Sequence, residues 1–312
     1  MFGFRPQPPD AEHLRREEES RRNLTAGGLP LPAVERLKRL AAQQGTPQHL
    51  FSSDLSVAEL ALVEDLGFVA LGQVMGTSFY QLGMQWRTAN WRDKDQGKAF
   101  GYEMEVLTAG WGNARRLALG RLQQEAELLG ATGVVGVKLK EKAHVKESGA
   151  IEFSAHGTAI RERELPPLRE GSPPRKLFLS TFSGQEFWVL RQAGFRPVGI
   201  LVGNCVYFQV LSNDQWRVLM RLNAPNQELT EVSEAMYAAR RLALNRLEEQ
   251  AGKLGATGLV DVQVDAQLKV GQTGDETETY GAEYHFTLIG TGIADAPPPP
   301  RRAPLDIVLP LR

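Results

Sequence analysis

Few residues in this chain of 312 are suited to chemistry. There are five histidines, His13, His49, His144, His156 and His285, and one cysteine, Cys205. Soft metals are held by cysteine or by several histidines. Here no His-x-x-x-His pair occurs, and no CxxC or Cys/His zinc spacing. His156 and Glu152, four apart on a strand, share a face but sit about 13 Å apart along it, too far to chelate one ion alone. Cys205 lies in the apolar run LVGNCVYFQ and reads as a small buried hydrophobe.

Other patterns are weaker still. The run DKDQGK at 93–98 starts like a calcium loop, but its glycine falls one place early and Met104 stands where the loop's closing glutamate belongs. Trp86, Trp91 and Trp111 with Arg87 and Arg92 could stack a base or a partner's side chain, or simply pack on the following helix. No Gly-x-Ser-x-Gly elbow is present. A formal charge of -1 supplies no general basic field for nucleic acid. No window offers the run of about 20 apolar residues that a membrane span needs, and the charged N-terminus carries no signal core. A cytoplasmic, soluble protein is expected, with no nucleic-acid partner and no transmembrane segment.

The elements that would position these residues come in duplicate. Residues 114–137, ARRLALGRLQQEAELLGATGVVGV, match residues 239–262, ARRLALNRLEEQAGKLGATGLVDV, at 16 of 24 positions, offset by 125. Upstream, LGFVALGQVMGTSFY parallels AGFRPVGILVGNCVY at an offset of 127, and downstream HGTAIRE parallels IGTGIAD at 133. Changing offsets between constant segments are what loops between two copies of one fold produce. In each copy the pattern reads as a short leader helix, a strand, a long helix (about 105–129 and 228–254) and two strands. Ser53 or Asp54, and Ser183, are the expected leader caps. Ala114, Leu117, Ala118, Leu122, Ala126 and Leu129 form one helical stripe, repeated by Ala239, Leu242, Ala243, Leu247, Ala251 and Leu254. Gly130 and Gly255 fall where a left-handed cap needs no Cβ, and Gly133 and Gly258 lead into the next strand. In that strand Val135, Val137 and Leu139 alternate with Lys138, Lys140 and Lys142, leaving Val134 on the mixed face.

The expected class is therefore α+β: two tandem β-α-β-β domains, each a small antiparallel sheet with one long helix, plus N-terminal helices. The boundaries read as 1–46, a helical arm; 47–165, domain 1; 166–176, a Pro-rich linker; 177–294, domain 2; and 295–312, a Pro-rich tail. Three strands and a helix bury little apolar area, so self-association is expected, with the arm or tail docking on a neighbour or another protein. The recurring pairs Arg115/Arg116 and Arg240/Arg241 are candidates for meeting an acidic neighbour across a subunit interface.

A long helix ending LGATGVVGV, then strands closing on GTA, resembles the YbjQ-like family, also labelled heavy-metal-binding domains; the carriers are residues 129–137 with 157–159, and 254–262 with 290–292. The resemblance implies a dodecin-like subunit and a ring, typically of five; with no catalytic constellation in the sequence, a non-enzymatic assembly protein is expected. The family's label makes His156, Glu152, His144 and His285 the candidate ligands of a divalent metal, gathered at a ring axis. A small-molecule or enzyme site between subunits is the remaining alternative.

Overall fold

A computed structural model describes residues 11–46, 50–82, 101–144, 149–164, 176–220, 226–273 and 279–299. His49, Trp86, Trp91, Arg87, Arg92, the 93–98 run, most of the linker (166–175) and the tail from 300 lie outside the described residues.

Two helices open the chain, α1 (Ala11–Thr25) and α2 (Leu31–Gln43). Copy 1 follows as α3 (Val57–Asp65), β1 (Phe68–Gln81), β2 (Gly101–Glu103), α4 (Glu105–Leu128), β3 (Gly133–His144) and β4 (Ala150–Glu162). Copy 2 is β5 (Phe178–Leu179), α5 (Gly184–Gln192), β6 (Phe195–Leu211), α6 (Asn213–Met220), α7 (Thr230–Leu254), β7 (Gly258–Thr273) and β8 (Thr279–Asp295). This is α+β, each long helix lying on an antiparallel β1-β4-β3 or β6-β8-β7 sheet.

Each leader helix starts in a reciprocal capping box, Ser56 with Glu59 and Ser183 with Glu186. Ser56, rather than Ser53 or Asp54, caps the first, because Ser53 Oγ and the Asp54 N–H are both taken up by Thr158 Oγ1, at 3.1 and 3.2 Å. The small-residue stripe is buried: Ala114, Ala118, Leu122 and Ala126 on α4, and Ala239, Ala243 and Leu247 on α7. The strand beneath each helix offers a glycine where the two backbones meet. A Cβ on Gly76 would overlap the Ala118 carbonyl, and one on Gly203 the Ala243 carbonyl. Gly130 (φ 73°) and Gly255 (φ 65°) turn the chain out of the helices.

Two expectations need correction. Val134 does not lie on a mixed face: it is buried together with Val135 and Val137, because a bulge between Val135 and Lys138, with Gly136 at φ 65°, breaks the alternation. The equivalent bulge in β7 puts Asp261 at φ 53°. Nor is each sheet made by its own copy alone. The strand orders are β1-β4-β3-β5 and β2-β6-β8-β7. Each sheet thus gains a fourth strand from the other copy: β5 pairs in parallel with β3, and β2 antiparallel with β6. Periodicity along one segment carries no information about which distant edge that segment will join.

Candidate assembly interface

The seam between the copies is built from these exchanged strands. Phe178 and Leu179 lie opposite Gly133 and Val134. The leader continues along β3, with Gly136 N–H donating to the Phe182 carbonyl at 2.7 Å and Val137 N–H to the Ser180 carbonyl at 2.9 Å. The Phe178 ring covers Gly133, where any Cβ would collide with it. So the glycine that opens the strand also admits an aromatic from the other copy. Beneath lies a shared apolar cluster of Val63, Phe68, Val135, Ile160, Phe182 and Phe187, joined by Ile293 of β8.

At the other edge of the seam, β2 and the first turn of α4 close the side of β6. Met104 N–H donates to the Val206 carbonyl at 2.8 Å, and Val206 N–H to Thr108 Oγ1 at 2.9 Å. Asn204 Nδ2 donates to the Thr108 carbonyl at 2.9 Å. Arg246 of α7 reaches across to Glu103 at 2.7 Å and holds the Asn204 carbonyl at 3.0 Å. That hydrogen bond to Glu103 is the main influence holding the Arg246 guanidinium above its ordinary pKa. Beside it, burial first, then Glu103, push the Cys205 thiol up to about 12. Cys205 is thereby a protonated core residue rather than a nucleophile or thiolate ligand.

The paired arginines divide. Arg115 is 2% exposed, with its guanidinium 5.0 Å from the Phe153 ring centroid and donating to Glu141 at 3.3 Å. Burial pushes the Glu141 carboxyl up, and Arg115 pulls it back. Arg115 and Glu141, with Gln263 and Asp265 of β7, line a cleft of about 320 Å³ between the two sheets. Arg115 therefore pairs inside its own copy, and Arg116 bonds Asn113 on its own helix at 3.2 Å. Arg240 and Arg241, their counterparts on α7, are exposed. Gly258, the counterpart of Gly133, opens β7.

The candidate metal ligands are not brought together. His156, on β4, faces Asp54 at 3.5 Å. His285, on β8 in the other sheet, is bonded to Glu283 and lies edge-on to Trp111, ring centroids 5.3 Å apart. Burial raises the Glu283 carboxyl, but His285 and Lys269 outweigh it and leave it below the usual carboxylate range. Glu152 stands opposite Lys142 and Phe79, and His144 ends β3 opposite Ala150, its side chain outside the description. Among the described residues no group of three His, Cys, Asp or Glu could hold a metal ion. These donors do not fit a heavy-metal centre within one chain. What sequence reasoning missed are Thr108, Glu103, Phe178 and Arg246, the residues that stitch the copies. Their signal was present only as pairs across the repeat, such as Thr108 with Ser233 and Phe178 with Phe51.

Fold and seam together define a tandem-repeat α+β protein whose copies join head to tail by lending each other strands. Residues 83–163 match the family described as "Putative heavy-metal-binding" (YbjQ). The chain is 36% identical over 212 residues to an encapsulin nanocompartment protein of Mycobacterium tuberculosis, covering 68% of this chain and 76% of that one. It is 40% identical over 60 residues to a UPF0145 protein of Clostridium perfringens and 34% over 73 residues to one of Bifidobacterium longum, spanning 55% and 62% of their lengths and 19% and 23% of this chain. The chain belongs to the YbjQ-like family. Among the described residues, no helix is long and apolar enough to cross a membrane.

Proposed function

We propose that this protein is a non-enzymatic, cytoplasmic assembly protein that forms a homo-oligomeric ring from two YbjQ-like domains per chain, 47–165 and 177–294. One observation carries the reading: the copies meet by a heterologous contact, in which copy 1 presents β3 and the start of α4 while copy 2 presents its leader and β6. A head-to-tail contact does not satisfy itself. It leaves one half open at each end of the chain, and repetition either closes a ring or grows a filament. The similarity to a nanocompartment protein of Mycobacterium tuberculosis supports a role within a protein particle.

The same logic bears on the number of subunits. Each chain brings two copies, so a closed ring holds an even number of them. A ring of five chains, the size that the resemblance implies, carries ten copies, and a ring of five copies cannot be made from whole chains. A divalent metal would draw its ligands from several chains around the axis, since no group of three ligands comes together among the described residues of one chain. The test is native mass spectrometry of untagged protein at micromolar concentration, with its metal content measured in parallel. A single species at a whole multiple of 34.5 kDa is expected. A monomer would sink the reading.

A further inference from the structure

We propose that a second copy of this chain completes both open ends by repeating the internal seam. Its segment 51–55 adds in parallel to the edge of β7 at 258–262, while segment 226–228 and the first turn of α7 close the edge of its β1. The inference rests on the self-assembly reading above, and it specifies which surfaces meet and in what register.

At the first edge, β7 repeats the features that β3 uses to accept the leader of copy 2. Among the described residues β7 is an edge strand, paired only with β8. Asp261 adopts the same left-handed conformation, φ 53°, as its counterpart Gly136 at 65°. Residues bearing a Cβ rarely adopt this conformation, aspartate more readily than most. In β3 this bulge turns the N–H groups of residues 136 and 137 outward to the leader. Keeping the bulge in β7 keeps the counterpart donors, at 261 and 262, aimed at an incoming strand. Gly133 lies under the Phe178 ring, whereas a Cβ on Gly258 would meet only Ile293. The counterpart of Phe178 is Phe51, which is 39% exposed. The leader of copy 1 already sits in the matching pose, its residue 54 N–H on Thr158 as that of residue 181 is on Thr291. Among the described residues no strand pairs with its outer side.

The second edge repeats the lock on β6. There Arg246 holds the Asn204 carbonyl and takes Glu103 from copy 1. In copy 1, Arg121 holds the equivalent Thr77 carbonyl at 2.5 Å. Its Nη2 and Nε donate to the Leu24 and Gly28 carbonyls of the arm, both at 3.1 Å, and no carboxylate pairs with it among the described residues. The counterpart of Glu103 is Glu228, exposed just before α7. Thr108, which accepts from Val206 N–H, has its hydroxyl counterpart in Ser233. Phe79, which matches buried Val206, is 66% exposed.

The register gives a cross-linking test. Val134 pairs with Leu179 inside the chain, so Leu259 of one chain should pair with Ser52 of the next. Cys205→Ala is the background, and Val134→Cys with Leu179→Cys is the internal control that must oxidise to an intrachain disulfide. Ser52→Cys with Leu259→Cys in one chain should then give a ladder of whole-chain multiples under oxidation, ending at the native oligomer number. Neither single substitution should link. An assembled particle by native mass without a ladder, the control having oxidised, overturns this seam and leaves the self-assembly reading standing. Single variants that dimerise as readily as the double variant also overturn it, since they report a two-fold contact. A monomer by native mass removes both.

Discussion

Glu125 illustrates how a single buried charge ties the arm to the first copy. It sits on α4, accepts the Met75 N–H of β1 at 2.9 Å and receives Arg36 of α2 at 3.4 Å. Burial raises its carboxyl above the ordinary value of 4.5, and the Met75 and Arg36 contacts only partly reverse this. The folded chain therefore holds this proton more tightly than the unfolded chain does. The contribution of Glu125 is most favourable at acid pH and falls as pH rises from about 4.5 through the raised value. Glu125→Gln should flatten that part of the profile. Urea midpoints measured at about pH 5 and about pH 7 should differ less in the variant than in the parent; an unchanged difference would count against this assignment. Elsewhere the residue scale was only partly legible. The capping glycines and the alanine stripe follow from helical spacing. The seam residues do not, because Thr108 or Glu103 looks like any polar residue at the start of a helix until its distant partner is known.

At the scale of elements, the controlling contact is helix on strand. Gly76 under α4 and Gly203 under α7 allow the backbones to touch, and the alanines opposite complete the fit. Gly203→Ala would drive a methyl into the Ala243 carbonyl, which is backbone and cannot swing aside. The variant should be destabilised by about 3 kcal/mol, read as a lower urea midpoint with an unchanged slope. A loss within about 0.5 kcal/mol, the range of ordinary surface changes, would mean that α7 lies further from the sheet. The long helices and the strand pair that follows each were readable from the repeat, whereas the bulges in β3 and β7 were not. The three-strand sheet expected for each copy was incomplete, because β2 and β5 are two or three residues long and carry no periodicity of their own. They are strands only because an edge elsewhere in the molecule pairs with them.

For the whole molecule, the copies are equal in sequence but not in surroundings. Arg115 is buried and Arg240 exposed; Val63 is fully buried and its counterpart Leu190 only partly so. One seam is made within the chain, and its equivalent edge on β7 pairs only with β8 among the described residues. If neighbours fill that equivalent, folding and association are linked, and anything that binds the folded form raises its apparent stability with concentration. Diluting the protein tenfold should lower its thermal midpoint, as measured by circular dichroism over a concentration series. A midpoint independent of concentration would argue that the chain stands alone.

The order of residues by itself determined the duplicated α+β unit, the buried face of each long helix and the glycine turns that end them. These follow from local spacing, since 3.6-residue and two-residue periods say which side of an element must leave water. Tertiary structure alone decided which copy completes which sheet, where Arg115 finds its acid, and that His156 and His285 stand in different sheets. Those outcomes depend on groups meeting across more than 20 residues of intervening chain, and a strand edge accepts any extended segment that geometry brings to it.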